Sequence, residues 1–231
     1  MSTPLLDAVV FDLDGVLVDS EPLWHVAELE VFCALGVPLT REGCLETTGM
    51  RVDAVVRHWH QRFPWPTPDL AAVEARVVAR VAALLKERGR PMPFALDALD
   101  EVAGRGLALG LASSSPRLII DAALTALGVT ARFATVRSAE ALPRGKPDPA
   151  VYLLACADLG VSPERAAAIE DSSSGLRAAH AAGMRVIAVP DPSTRAPDAL
   201  PLAHRVLRHL GELPDALDAL GAPTRAAPLP S

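Results

Sequence analysis

Two aspartates, Asp12 and Asp14, directly follow the apolar run Ala8-Val9-Val10-Phe11 and precede Gly15. Carboxylates at the end of a buried segment are costly to desolvate unless something positive answers them. Three further polar groups stand in comparable settings. Ser113-Ser114-Ser115-Pro116 follows apolar residues 107–112, Glu170-Asp171 follows residues 166–169, and Lys146 lies in a loop between two ordered segments. Clustered carboxylate oxygens suit a hard divalent cation, Mg²⁺ above all. Serine hydroxyls and free N–H groups at a helix start, beside a lysine point charge, suit an anion with several oxygens. Together they describe a phosphate site, in which an aspartate can attack phosphorus and form an aspartyl-phosphate.

Electrostatics set a condition on that chemistry. A carboxylate about 4 Å from a phosphate oxygen is repelled by about 4 kcal/mol per charge pair at the effective dielectric of a protein surface. That is a factor of nearly a thousand in rate, at about 1.4 kcal/mol per tenfold. A cation and Lys146 are therefore required, not optional.

The elements that must position these groups follow from periodicity. Ala8–Phe11 has no helical period and reads as a strand buried on both faces. Residues 107–112, 133–136, 166–169, 185–189 and 204–207 are expected to be further strands, with helices between them over 116–127, 150–159 and from 172 to Gly183. Strand alternating with helix argues a parallel, doubly wound sheet, which binds ligands beyond the carboxyl ends of its strands. If the first strand extends through Asp14, Asp12 and Asp14 face the same way, and Gly15 then turns the chain aside. Residues 19–89 carry helical period only. Ser20 or Asp19 is expected to cap a helix that stops before Gly36. Val52, Val55, Val56, Trp59 and Phe63 form one apolar face, and Leu70, Val73, Val77, Val81, Leu84 and Leu85 another. This reads as an all-helical insertion. The expected domains are a core of residues 1–18 and 90–220 and a cap of 19–89, with a loose start over residues 1–4 and a disordered tail over 221–231.

Composition narrows the class. Half of the 231 residues are hydrophobic and the net charge is −6 without a basic stripe, so neither nucleic acid nor an anionic membrane is an expected partner. No segment has the length of a membrane span. Cys33, Cys44 and Cys156 are isolated, which suits packing in a reducing cytoplasm. The chain is expected to act as a monomer.

Phe11-Asp12-Leu13-Asp14-Gly15-Val16, Ala112-Ser113-Ser114, Gly145-Lys146-Pro147-Asp148-Pro149 and Ile169-Glu170-Asp171-Ser172 resemble, in order and spacing, the four motifs of the haloacid dehalogenase superfamily. The resemblance implies a Rossmann-like α/β core with a helical cap inserted after the first strand. It implies Asp12 as nucleophile and Asp14 as the acid that protonates the leaving oxygen and then activates water. Ser113 and the Ser114 amide would bind phosphate, and Lys146 would steady the pentavalent state. Mg²⁺ would be held by Asp12, the Asp14 carbonyl and Asp171, with Glu170 beside them. True dehalogenases lack the second aspartate, so Asp14 favours phosphoryl transfer. A narrower likeness runs through Asp19-Ser20-Glu21-Pro22-Leu23-Trp24, the Gly49 to Val56 stretch, Pro64-Trp65, Gly110 to Pro116 and Ser138 to Pro143. These resemble the bacterial hexitol phosphatases, also described as 2-deoxyglucose-6-phosphate phosphatases, and imply a small phosphorylated sugar or polyol as substrate. The β-phosphoglucomutases are similar as well. They carry a histidine where Trp24 stands and an arginine where Val52 stands, with His25 and Arg51 one place off. Both departures speak against a mutase, which is the first alternative, a catalytically idle phosphate-binding domain being the other.

Several residues have two readings. Trp24 is a wall against substrate or a core anchor of the first cap helix. Arg51 reaches a sugar hydroxyl or phosphate, or is a solvated helix-start arginine. Ser115 lines the phosphate turn or caps the next helix. His58 and His60 are expected at the surface, and Trp65 between prolines is expected to be a packing peg.

Overall fold

The computed structural model describes residues 6–191 and 198–224. In chain order the elements are β1 (Ala8–Phe11), α1 (Glu21–Cys33), α2 (Arg41–Cys44), α3 (Val52–Arg62), α4 (Leu70–Arg88), α5 (Ala95–Gly104), β2 (Ala108–Ser113), α6 (Arg117–Ala126), β3 (Thr135–Ser138), α7 (Ala150–Leu159), β4 (Ala166–Glu170), α8 (Ser173–Ala181), β5 (Arg185–Ala188), β6 (Arg205–Val206) and α9 (Leu213–Ala219). The six strands form one parallel sheet in the order β3-β2-β1-β4-β5-β6. β1 is central. Phe11 lies opposite Leu111 on one side and Ile169 on the other, so β1, β2 and β4 end close to level, at the point where the strand order reverses. That is where an open α/β sheet leaves a crevice for ligands.

The sheet has two unlike faces. Val9, Phe11, Leu109, Leu111, Ile169 and Ile187 point into one apolar cluster, which continues without a break through Phe32, Val55, Trp59, Val77 and Leu85 of α1, α3 and α4. The other face is built from small residues, among them Ala8, Val10, Ala112, Ala166 and Ala168, and packs on Tyr152, Ala155 and Leu176 of α7 and α8. Large residues on one face and small ones on the other let α7 and α8 lie close to the strands, which brings Tyr152 up to the strand ends. α4 packs along α6, where the bare backbone of Gly89 comes close to the Ala126 methyl.

Some elements differ from expectation. α5 was not anticipated. It is preceded by Phe94 in the left-handed region at φ 64°, not by a serine, threonine or aspartate, so its start carries no capping signal. The short α2 and the proline-started α9 were likewise not anticipated. β3 begins two residues later than expected, at Thr135. Ser20 sits at the start of α1 but makes no cap bond there. The expected disordered tail begins too early at Gly221. Gly221 and Ala222 donate to the Asp218 and Leu217 carbonyls at 3.1 and 2.9 Å, and the buried guanidinium of Arg105 donates to the Pro223 carbonyl. The remainder of that tail, from 225 on, and the loose start over 1–4 lie outside the described residues. Cys44 and Cys156 are buried as packing residues, whereas Cys33 is exposed. His58 and His60 are half-buried, with their rings edge-on to Trp59 and Trp65. Trp65 is buried and its indole donates to the Pro68 carbonyl. No helix among the described residues is long and apolar enough to cross a membrane.

Candidate active site

The floor of the crevice is built by the ends of β1 and β4. The Asp12 amide donates to the Ile169 carbonyl at 3.0 Å, continuing the ladder one step beyond β1. Its carboxylate thereby stands beside those of Glu170 and Asp171, with an oxygen of each within 4.8 Å of the others. Two glycines make this crowding possible. A Cβ on Gly15, which has φ +75°, would lie 2.2 Å from Asp171 Oδ2, and one on Gly175 would lie 1.9 Å from Glu170 Oε1. Each acid therefore rests against bare backbone.

Lys146 answers part of the charge. Its Nζ donates to Asp12 Oδ1 at 2.5 Å, to Glu170 Oε1 at 2.5 Å and to the Ala112 carbonyl at 2.9 Å. Burial pushes the Asp12 carboxyl up to about 7 against the pull of Lys146, and the charges of Glu170 and Asp14 add to the rise. Burial, then Glu170 and Asp12, hold Asp171 well above the ordinary carboxylate range. Lys146 would be lowered by burial alone, but Asp12 and Glu170 raise it. Three acids and one ammonium leave the floor short of positive charge. An all-oxygen donor set in that condition fits a hard divalent cation.

Asp14 is placed differently. The strand stops at Phe11 and residues 13–18 form a turn in which the Leu17 and Val18 amides donate to the Leu13 carbonyl. Strand alternation therefore does not orient Asp14, contrary to expectation. Side-chain donors do. Ser20 Oγ and Trp24 Nε1 reach Asp14 Oδ1 at 2.5 and 3.1 Å, and Ser115 Oγ reaches Oδ2 at 2.6 Å. Ser20 and Ser115 thus bind Asp14 in place of, or besides, the cap and turn roles read for them. Trp24 packs against the apolar cluster while its N–H is on Asp14.

The serine turn closes the third side. Ser113 Oγ accepts the Ser115 amide at 3.0 Å, Ser114 Oγ accepts the Lys146 amide at 3.2 Å, and Ser138 Oγ donates to the Ser115 carbonyl. A cleft of about 680 Å³ opens beside Lys146, with Met50, Arg51, Asp53 and Arg57 on one side and Arg144 and Asp148 on the other. Arg51 borders it, but all three of its guanidinium nitrogens are engaged. Nε and one terminal nitrogen fork onto Asp53, and the other donates to the Ala139 and Leu142 carbonyls. It ties the start of α3 to the loop that leads to Lys146.

The sequence reading thus placed Asp12, Asp14, Ser113, Ser114, Lys146, Glu170 and Asp171 around one crevice, and the structure brings them together there. It missed Tyr152, whose hydroxyl donates to Glu170 Oε1 at 2.6 Å. A tyrosine within an apolar helix carries no signal of that kind.

Residues 9–189 match the haloacid dehalogenase-like hydrolase family. The chain belongs to that family. It is 43% identical over 223 residues to hexitol phosphatase B of Escherichia coli strain K12, covering 96% of this chain and all of that protein. The crystal structure of CbbY from Rhodobacter sphaeroides, in complex with phosphate, superposes with a TM-score of 0.82 at 33% identity, covering 93% of this chain and all of that one. β-Phosphoglucomutase from Clostridium difficile shares the fold, with a TM-score of 0.79 at 20% identity over 94% of this chain and 97% of that one. By this kinship the chain is an enzyme of the phosphatase kind.

Proposed function

We propose that the chain is a Mg²⁺-dependent phosphatase of small sugar or sugar-alcohol phosphates, hexitol phosphates and 2-deoxyglucose 6-phosphate among them, working through an aspartyl-phosphate on Asp12. The observation that carries the proposal is the meeting of Asp12, Lys146, Glu170 and Asp171 at the ends of β1 and β4. The substrate class rests on the likeness to hexitol phosphatase B. Asp12, Asp171 and the Asp14 carbonyl, with Glu170 beside them, would hold the ion. When bound it offsets the repulsion between Asp12 and the phosphate oxygens.

The chain's own residues do the rest. An Asp12 carboxylate oxygen attacks phosphorus, and the bond from phosphorus to the sugar oxygen breaks. Asp14 gives that oxygen a proton, which leaves it ionised to take one from the water that then cleaves the aspartyl-phosphate. Ser113 and the Ser114 amide hold phosphate oxygens and Lys146 offsets their charge. Trp24 and Arg51, each read from sequence as either a substrate contact or a structural residue, act at one remove: Trp24 orients Asp14, and Arg51 fixes one wall of the cleft. We assign residues 1–18 and 90–220 to the core and 19–89 to a cap that shapes the substrate. Three unpaired cysteines suit a cytoplasmic enzyme. A phosphate-release assay over phosphorylated sugars, polyols and nucleotides, with and without Mg²⁺, tests this reading. Metal-dependent release from hexose or hexitol phosphates is expected. Conversion of a sugar 1-phosphate to its 6-phosphate without release would show a mutase instead, and no release from any compound would overturn the proposal.

A further inference from the structure

Tyr152 is the only tyrosine of the chain, and it is fully buried. Packing alone does not need its hydroxyl, since phenylalanine fills the same space. Yet the hydroxyl donates to Glu170 Oε1 at 2.6 Å, and the ring lies beneath Lys146, whose Nζ is 4.8 Å from its centroid. One side chain therefore touches both members of an ion pair on the floor of the site.

The reason lies in how the lysine is bound. An ammonium has three N–H donors and no more. Asp12 Oδ1, Glu170 Oε1 and the Ala112 carbonyl take all three. To meet a phosphate oxygen, Lys146 must let one acceptor go, and a buried carboxylate oxygen without a donor is strongly disfavoured. Of the two carboxylate oxygens that the lysine holds, only Glu170 Oε1 has a second side-chain donor among the described residues. Glu170 also has little freedom to follow the lysine, because its carboxyl rests on the backbone of Gly175 and Ser172 Oγ donates to Oε2 at 3.2 Å.

We infer that Tyr152 is a positioning residue, which keeps Glu170 hydrogen-bonded and in place while Lys146 turns one N–H from it to the transferring phosphoryl group. The inference deepens the proposed reading of Lys146 and rests on it. No bond is made or broken at Tyr152, and the phenol keeps its proton throughout. Burial and the charge of Glu170 hold that phenol well above its ordinary value, so it remains a donor.

Tyr152→Phe tests this in the full chain. Far-ultraviolet circular dichroism and tryptophan emission should match wild type, and the melting temperature should fall by only a few degrees. Calorimetric Mg²⁺ binding without substrate should stay within about threefold, because Tyr152 bonds Oε1 and leaves Oε2 to other partners. On the best substrate of the release panel, kcat should fall about tenfold, or 1.4 kcal/mol, with KM little changed. Orthovanadate, which mimics the transferring phosphoryl group, should bind about tenfold more weakly in the presence of Mg²⁺. Unchanged kcat and vanadate affinity would overturn the inference, leaving Tyr152 a packing residue. Mg²⁺ affinity falling in step with kcat would also overturn it, because Tyr152 would then act on the metal site and not on the lysine. A wild-type protein that releases no phosphate would overturn the underlying reading, which the variant comparison alone does not touch.

Discussion

Asp12 and Asp14 are the same residue type two positions apart, yet they sit in unlike surroundings. Asp12 belongs to a charged floor, with Lys146 on one oxygen and two further carboxylates beside it. Asp14 belongs to a wall of neutral donors, two hydroxyls and an indole. The floor comes entirely from strand ends and the Lys146 loop. Two of the three donors to Asp14, Ser20 and Trp24, come from the start of α1. The difference separates two tasks. An attacking carboxylate must be fixed and ionised in the substrate complex, which Lys146 favours against burial and the two neighbouring acids, and which a bound cation would favour further. A carboxyl that gives up a proton and takes one back needs partners that orient it, and a hydroxyl can both donate and accept.

The comparison breaks most visibly at Asp12. Asp12→Asn keeps the shape and removes the attacking charge, so steady-state phosphatase turnover should fall on the order of a thousandfold or more, with the circular dichroism spectrum unchanged. Retention of a tenth of the wild-type rate would rule out Asp12 as nucleophile. A pH signature accompanies it. Unfolded aspartate ionises near about 4, and burial raises folded Asp12 to about 7. Between those values the folded protein binds the extra proton, so this contribution to stability is full below about pH 4 and is lost as pH rises through about 7. Melting of the metal-free wild type should therefore drop between about pH 5 and about pH 8 and recover on addition of Mg²⁺. The drop should be smaller in Asp12→Asn, and equal pH dependence in the two proteins would contradict the assignment.

Next in size is Asp171→Ala. It should weaken Mg²⁺ binding in calorimetry by about a hundredfold or more and abolish turnover at moderate Mg²⁺. The metal-free protein should melt no lower than wild type, since one of three mutually repelling acids is gone. A large drop in metal-free melting temperature would make Asp171 a structural residue. Asp14→Asn should be selective. It should block sugar phosphates, whose alkoxide leaving groups need a proton, and spare the first step with an aryl phosphate. Rapid quench should then show a burst of about one phenolate per enzyme. Normal turnover of sugar phosphates would reduce Asp14 to a strand-end acid. Smallest is Trp24→Phe, which removes one donor from Asp14. At about 1 kcal/mol per hydrogen bond, kcat on sugar phosphates should fall about fivefold, while the aryl phosphate burst rate stays unchanged. An equal loss on both substrates would mean that Trp24 acts on the floor as well.

The same contrast explains what could be read from the sequence. Asp12, Glu170 and Asp171 follow apolar runs, so strand order places them, while Lys146 could be read from its loop between ordered segments and from its motif. The wall could not be. Its donors lie 6, 10 and 101 residues from Asp14, and Ser20 and Ser115 each precede a helix, where a serine reads as a cap. Asp14 itself was expected to follow strand alternation, but the chain turns after Phe11. Tyr152 stayed hidden because its role depends on how closely α7 packs on the alanine-rich face of the sheet. Helix α5 stayed hidden for a local reason, the left-handed Phe94 in place of a capping residue.

The central claim, attack by Asp12 with hydrolysis left to Asp14, is tested most directly by trapping the intermediate. Asp14→Asn should be mixed with an aryl phosphate and Mg²⁺, quenched in acid within the burst, and digested for peptide mass spectrometry. One phosphoryl group on the peptide carrying Asp12, absent when Asp12→Asn is added to the same variant, is the predicted result. A burst of phenolate with no phosphoryl group on that peptide, or with one on another residue, would contradict the account.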